Sequence, residues 1–215
     1  IDDVPLAADD TGYGVVEDGT SSVSGNVLDN DDSGADAPKS FVAWGSGDAA
    51  VIAALTTYGT LTQNPGGTWS YVLDNTRPAT QALAPSFNQN YVLNYTMADA
   101  DGDRDDATLT INLQGSDDGV SITGIGLVGG DEIVDEDDLP DGSSPVPGNL
   151  TQTGSFTITA PDGVDDLLIG GQSVVTDGVV TLPPAFATTY GMLTITGVNL
   201  TTGVVSYSYT LSDNT

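Results

Sequence analysis

Met97-Ala98-Asp99-Ala100-Asp101-Gly102-Asp103-Arg104-Asp105-Asp106-Ala107-Thr108-Leu109-Thr110-Ile111 crowds five aspartates and one arginine into a turn, then runs straight into an alternating segment. From Ala107 to Leu113 apolar and polar residues alternate with period two, the pattern of a half-buried β-strand. The same period governs Thr68 to Leu73, Tyr91 to Thr96, Gly154 to Ala160 and Val204 to Leu211. Gly, Asn and Asp punctuate these segments closely, which predicts an all-β protein built from Ig-like sandwiches. Helical periodicity is almost absent; Asp48 to Leu55 (DAAVIAAL) predicts one short turn of helix.

The acidic half of the stretch poses an electrostatic problem. Two carboxylates about 4 Å apart repel by roughly 4 kcal/mol at an effective dielectric near 20. A turn holding several of them needs solvent, protons or a cation, and Arg104 supplies one positive charge. A hard divalent cation with oxygen ligands meets the need, and Ca²⁺ takes six to eight of them. Asp99, Asp101 and Asp103 stand at the first three ligand spacings of an EF-hand. The loop glycine is displaced, however, and Thr110 occupies the place of the bidentate Glu. There is no GGxGxDxUx array either. Distant parts of the chain must therefore complete the site. The candidates are Glu17 and Asp18, in Val16-Glu17-Asp18-Gly19, and the pair Asp117 and Asp118. The turn before the last strand of the first sandwich and the junction after it are expected at one end, so that a shared cation would bridge two domains.

Further acidic clusters are Asp29-Asn30-Asp31-Asp32, followed by Asp36, and Asp131-Glu132 running into Asp135, Glu136, Asp137, Asp138 and Asp141. Asp135, Glu136 and Asp137 are taken as further metal-ligand candidates. The alternative is a merely solvated acidic surface. Such charge would spread along outer strand faces, whereas here it gathers at turns while the strands carry Thr, Ser and Asn.

Across 215 residues there are 31 acidic and 3 basic side chains, a formal charge of -28, and no Cys or His. That charge excludes nucleic acid and an anionic membrane surface as partners. The missing Cys and His remove disulfides, thiolate metal sites, the usual zinc ligand and the usual general base. No apolar run approaches the roughly 18 residues of a membrane span, so direct membrane insertion is not expected. No signal peptide opens the chain, which reads as a fragment of something larger.

An internal repeat underlies the strands. Tyr58-Gly59-Thr60-Leu61-Thr62 with Trp69-Ser70-Tyr71-Val72-Leu73-Asp74-Asn75-Thr76 returns as Tyr190-Gly191-Met192-Leu193-Thr194 with Val205-Ser206-Tyr207-Ser208-Tyr209-Thr210-Leu211-Ser212-Asp213-Asn214-Thr215. Asp2-Asp3 and Glu17-Asp18 are echoed by Asp117-Asp118 and Glu136-Asp137. Two tandem sandwiches follow, residues 1–117 and 118–215. The first copy continues for two strands beyond the repeat and the second does not, so the second domain is expected to lack its last strands.

Three ordered segments together resemble the cadherin-like/VCBS repeats of giant bacterial RTX adhesins. They are Val16-Glu17-Asp18-Gly19-Thr20 leading to Gly25-Asn26-Val27-Leu28-Asp29-Asn30-Asp31; Tyr58-Gly59-Thr60-Leu61 with Gly67-Thr68-Trp69-Ser70-Tyr71; and Asp99-Ala100-Asp101-Gly102-Asp103 with Ala107-Thr108-Leu109-Thr110-Ile111. The segment from Val134 through Gly142 to Gly154-Ser155-Phe156-Thr157 looks like a second repeat type of the same adhesins. Gln114-Gly115-Ser116-Asp117-Asp118 departs from the family's usual Gly-Thr-Asn-Asp junction. The resemblance implies type I secretion, display outside the cell on the bacterial surface, and a calcium-stiffened spacer that projects ligand-binding domains for adhesion and biofilm formation. Its partners would be neighbouring repeats of the same polypeptide, with any host or surface ligand engaged through other domains.

The main rival is a carbohydrate- or peptide-binding module of the same kind of adhesin, with Trp44, Trp69, Tyr58 and Tyr71 as a stacking platform. Trp69 and Tyr71 share a strand face with Leu73, which favours a core role. The Thr faces Thr108/Thr110 and Thr157/Thr159 are explained by β-propensity rather than ice binding. Paired carboxylates suit a glycosidase, but here nearly every turn would qualify, and no nucleophilic triad or phosphate loop is present; the chain is not expected to be an enzyme.

Overall fold

The computed structural model describes residues 3–125 and 133–212. Asp2, the Asp131-Glu132 pair and the repeat terminus Asp213-Asn214-Thr215 lie outside the described residues. The chain forms two compact units, Ile1–Asp117 and Asp118–Thr215.

In the first unit the elements are β1 (Asp10–Val16), β2 (Ser22–Asn26), β3 (Ser40–Trp44), α1 (Ala49–Tyr58), β4 (Gly59–Gln63), β5 (Thr68–Leu73), α2 (Pro78–Gln81), β6 (Asn88–Ala98) and β7 (Arg104–Gln114). One sheet has the order β1-β7-β6-β3 and the other β2-β5-β4. β1 runs parallel to β7; the other pairings are antiparallel. The period-two segments place alternate residues inside. Trp69, Tyr71 and Leu73 of β5 meet Leu93 and Tyr95 of β6 and Leu109, Ile111 and Leu113 of β7 in one buried core.

The helix is longer than the sequence predicts. α1 has 10 residues, beginning just after Asp48, and buries Leu55. Alanines at four of its first six positions favour helix. Its apolar residues surround the axis rather than marking one stripe, so period counting misses its length. Arg77 closes its C-terminal end by donating to the carbonyls of Thr56 and Thr57, where a cation also suits the helix dipole.

The second unit carries β8 (Ser121–Thr123), β9 (Thr151–Thr159), β10 (Leu167–Ile169), β11 (Gln172–Thr176), β12 (Val179–Val180), β13 (Phe186–Ala187), β14 (Gly191–Asn199) and β15 (Val204–Leu211). Its sheets are β13-β14-β15-β9-β8 and β10-β11-β12. Ile158, Val174, Ile195 and Val205 form its separate core.

The internal repeat is visible in strand register. In β4–β5, Gly59 pairs with Leu73 and Leu61 with Tyr71; in β14–β15, Gly191 pairs with Leu211 and Leu193 with Tyr209. A Cβ on Gly59 would sit 2.2 Å from the Val72 carbonyl oxygen and 2.9 Å from the Tyr71 hydroxyl. On Gly191 it would sit 2.2 Å from the Thr210 carbonyl oxygen and 2.8 Å from the Tyr209 hydroxyl. Both hairpins thus seat a tyrosine head against a glycine beside which there is no room for a Cβ. Each also pairs on its far side with an antiparallel strand, β2 in the first unit and β9 in the second. β15, the counterpart of β5, is the last strand among the described residues.

Candidate metal centre

The acidic turn joins β6 to β7, whose ladder ends at the Ala98–Arg104 pair. Asp99 organises it. Its Oδ1 accepts from the backbone N–H groups of Gly102 (3.0 Å) and Asp103 (2.9 Å), and its own N–H donates to the Asp103 carbonyl at 3.1 Å. Gly102 takes φ +104°, the left-handed region open to glycine, which lets the chain reverse here. Asp99 is only 4% exposed, and its Oδ2 is buried with no hydrogen-bond partner. A buried carboxylate oxygen without a donor is costly unless a cation takes the charge.

The loop before β3 supplies the missing neighbour. Ser40 pairs with Ala98, so the segment leading into β3 lies against the turn, and the Ala100 N–H donates to the Asp36 carbonyl at 2.9 Å. Carboxylate oxygens of Asp36, Asp99 and Asp101 all lie within 4.8 Å of one another. With Ca²⁺–O distances of roughly 2.3–2.6 Å, oxygens on one ion stand at most about 5 Å apart, so the three fit a single ion. The donor set is hard and anionic, which suits Ca²⁺ and leaves its other positions to carbonyls or water. Held there, Ca²⁺ would neutralise the carboxylates and tie the β6–β7 turn to the loop before β3. Asp103 is not in this group; it serves the turn through its backbone.

Asp36 is the ligand candidate that sequence reasoning missed. It was legible only as the tail of a separate acidic run, because the β3–β6 pairing that brings it to Asp99 spans 58 residues of chain.

The other candidates fall elsewhere. Glu17 is 1% exposed, with Oε1 accepting from Gln81 Nε2 (3.3 Å) and Oε2 from the Ser116 N–H (3.2 Å). Asp18 is exposed, holds φ 52° and accepts from Asn75 Nδ2. Asp117 is exposed. The Asp118 N–H donates to Asp162 Oδ2 at 3.1 Å within the second unit. The expectation that the Asp99 turn and the Glu17–Asp117 region share one end of the sandwich is corrected by the ladder. β6 and β7 pair from Ala98–Arg104 at the turn to Asn88–Gln114 at the opposite end, where Glu17 N–H donates to the Gln114 carbonyl. Strands of 11 residues at about 3.4 Å per residue hold the two ends some 35 Å apart. No single ion joins them. In the second unit Asp135 caps the 3₁₀ turn Glu136–Asp138 by accepting from the Asp137 N–H at 3.0 Å, and Asp135, Glu136 and Asp137 are all exposed.

Many aspartates do a third job, neither cation site nor solvated surface: they accept backbone N–H groups. Asp9 holds Thr108, Asp31 holds Ala8, Asp105 holds Ala7, Asp48 holds Asn94 and Asp3 holds Ala35. The short Asp side chain reaches such donors where Glu overshoots. Among the described residues the ion pair is Arg77–Asp74, and Asp74 is held below the usual carboxylate range first by the Thr76 hydroxyl and N–H.

Asp10 is the opposite case. Burial, partly offset by the Tyr95 hydroxyl and reinforced by Asp31, Asp29 and Asp9, pushes it up to about 6 from 3.8. The folded state therefore keeps a proton that the unfolded chain releases. The stability that proton confers is complete below pH 3.8 and is lost as pH rises to about 6. In metal-free buffer, urea titrations should show a loss on the order of 3 kcal/mol across that window relative to Asp10→Asn, in which it disappears. A pH-independent difference between the two would refute the assignment.

Trp69 and Tyr71 lie in the core, while Trp44 and Tyr58 pack half-buried against it; the Trp44 indole N–H donates to the Asn64 carbonyl. The four do not form an exposed stacking platform.

Residues 2–115, just over half of the chain, match the family described as the bacterial cadherin-like domain. Two solved structures are similar at low identity. The protocadherin gamma B2 extracellular cadherin domains 1–5 are 16% identical, matched over 99% of this chain and 34% of that one, with a TM-score of 0.40. The protocadherin gammaB7 EC3–6 cis-dimer is 12% identical, over 99% and 40%, also at 0.40. The chain thus spans from about a third to two-fifths of the length of those chains. No curated protein matches it.

Proposed function

We propose that this chain, which belongs to the bacterial cadherin-like domain family, is a calcium-stabilised structural extender of a large bacterial cell-surface adhesin. Its product is stiffness: β-sandwich repeats that carry ligand-binding domains away from the cell, in adhesion and biofilm formation. The observation that carries the reading is the convergence of carboxylate oxygens of Asp36, Asp99 and Asp101 within 4.8 Å of one another, with a buried Asp99 Oδ2 that has no hydrogen-bond partner. Domains of this family are typically non-catalytic, and the partners of an extender are the neighbouring repeats of its own polypeptide. Among the described residues no helix is long and apolar enough to cross a membrane. An RTX-type adhesin leaves the cell by type I secretion, and an outside medium fills calcium sites of roughly 10⁻⁴ to 10⁻³ M affinity that the cytosol would not. The burial of Trp69 and Tyr71 supports a spacer over a sugar-stacking module.

Calorimetric titration with CaCl₂ tests the site. Wild-type chain should bind with a dissociation constant in that range, and Asp99→Asn with Asp101→Asn should remove at least one equivalent. Unchanged stoichiometry in the double variant would sink the assignment.

A further inference from the structure

A second group of carboxylates lies inside the first unit, separate from the acidic turn. Asp10 opens β1, and Asp31 lies in the loop after β2. Both are more than nine-tenths buried, at 4% and 7% exposure, and each has an Oδ2 that is buried without a hydrogen-bond partner. Both lie by the Tyr95 hydroxyl, whose single hydrogen can go to Asp31 Oδ1, 2.9 Å away, or to the Ala8 carbonyl, 3.1 Å away. The Ala8 N–H donates to the same Asp31 Oδ1 at 2.8 Å. Asp31 thus has its donors on one oxygen, and the other faces none.

The charges around the pair do not balance. Asp9 and Asp29 lie within electrostatic reach of Asp10, as does the Tyr13 ring. The nearby cation, Lys39, spends its ammonium on the Asp31 backbone carbonyl at 2.7 Å, and forms no ion pair with either carboxylate. Asn30 clamps the adjoining strand by donating to the Ala8 and Asp9 carbonyls. A proton would remove one negative charge from this group, whereas a divalent cation would remove two and satisfy both orphan oxygens at once.

We propose that Asp10 and Asp31 form a second, buried divalent-cation site in the first unit, distinct from Asp36, Asp99 and Asp101. Tyr95 lies on β6 four residues before Asp99, about 13 Å along the strand, too far for one ion to serve both groups. The ion here would pin the start of β1 and the loop after β2 to the β6–β7 sheet. It would act inside the sandwich rather than at its end.

Terbium luminescence tests this without depending on the first site. In chain carrying Asp99→Asn and Asp101→Asn, Tb³⁺ excited through tyrosine should give saturable emission that Ca²⁺ competes away. Adding Asp10→Asn should cut that emission at least fivefold. Wild-type chain gives a variant-free check, since the ¹³C signals of the Asp10 and Asp31 carboxylates should both shift on CaCl₂ titration. Emission unchanged by Asp10→Asn, or carboxylate signals that respond to pH and not to calcium, would overturn the site and leave a carboxyl pair sharing a proton. Neither result bears on the Asp99 group, whose own titration stands apart.

Discussion

In excess EDTA the first unit should melt on the order of 10 °C lower than in 10 mM Ca²⁺. A site with a dissociation constant near 10⁻⁴ M is about 100-fold saturated at that concentration, which is worth about 2.7 kcal/mol. For a domain of this size each kcal/mol moves the midpoint by roughly 4 °C or more. Trp44 and Trp69 are the chain's two tryptophans and both lie in the first unit, so fluorescence follows that unit alone. Mg²⁺ at equal ionic strength should shift the midpoint far less, because it demands near-octahedral geometry and sheds water reluctantly. Asp99→Asn with Asp101→Asn should reduce the calcium effect, and any remainder would report other sites. Equal midpoints in Ca²⁺ and EDTA would mean that the acidic turns are sustained by backbone hydrogen bonds and solvent, and the extender would lose its calcium dependence.

Tyr71→Ala should destabilise the same unit by roughly 3–5 kcal/mol, the range for removing a large buried aromatic. Tyr71 is fully buried, its hydroxyl seated against Gly59 and donating to the Leu55 carbonyl at 3.0 Å. Burial pushes that hydroxyl well above the usual tyrosine range, so it remains a donor at any pH the protein meets. Truncation opens a cavity at the junction of β4, β5 and α1 and removes a donor from the end of the helix. Tyr71→Phe keeps the ring and should cost only about 1–2 kcal/mol. Against a total stability of about 5–15 kcal/mol, the alanine variant is expected to unfold at much lower urea while the phenylalanine variant remains folded. The urea midpoint by tryptophan fluorescence reads both. Equal small losses in the two variants would show that the ring contributes little and that the repeated glycine–tyrosine seat is incidental. Tyr209, the counterpart in the second unit, is only half-buried, and its truncation should cost less.

The β-strands were legible because their signal is local. Thr68 to Leu73 and Val204 to Leu211 coincide with β5 and β15, and the alternation of Tyr91 to Thr96 and Ala107 to Leu113 predicts the inward faces of β6 and β7. The repeat was legible for the same reason: Tyr-Gly and Tyr-x-Leu record a packing contact within one hairpin. The α1 helix was half-legible, since its alanines mark it while its apolar residues lack a single face. The carboxylates behaved differently. The sequence points to Asp99 and Asp101, but equally to Asp103 beside them, and to Glu17, Asp18, Asp117 and Asp118 for the rest. Chain reversal at Gly102 puts Asp103's backbone to use, and an antiparallel ladder of 11-residue strands carries Glu17 to the far end.

By itself, then, the sequence determined strand positions, the duplicated hairpin and the abundance of oxygen ligands, because each is set by residue type at short spacing. Only the tertiary structure decided which oxygens meet. Asp36 joins Asp99 through the β3–β6 pairing, and Asp10 joins Asp31 beneath Tyr95 through contacts between separate strands and loops. With 31 acidic residues to choose from, charge alone could not name the partners; strand order and register bring particular carboxylates within reach of one ion, and leave the others to hold turns.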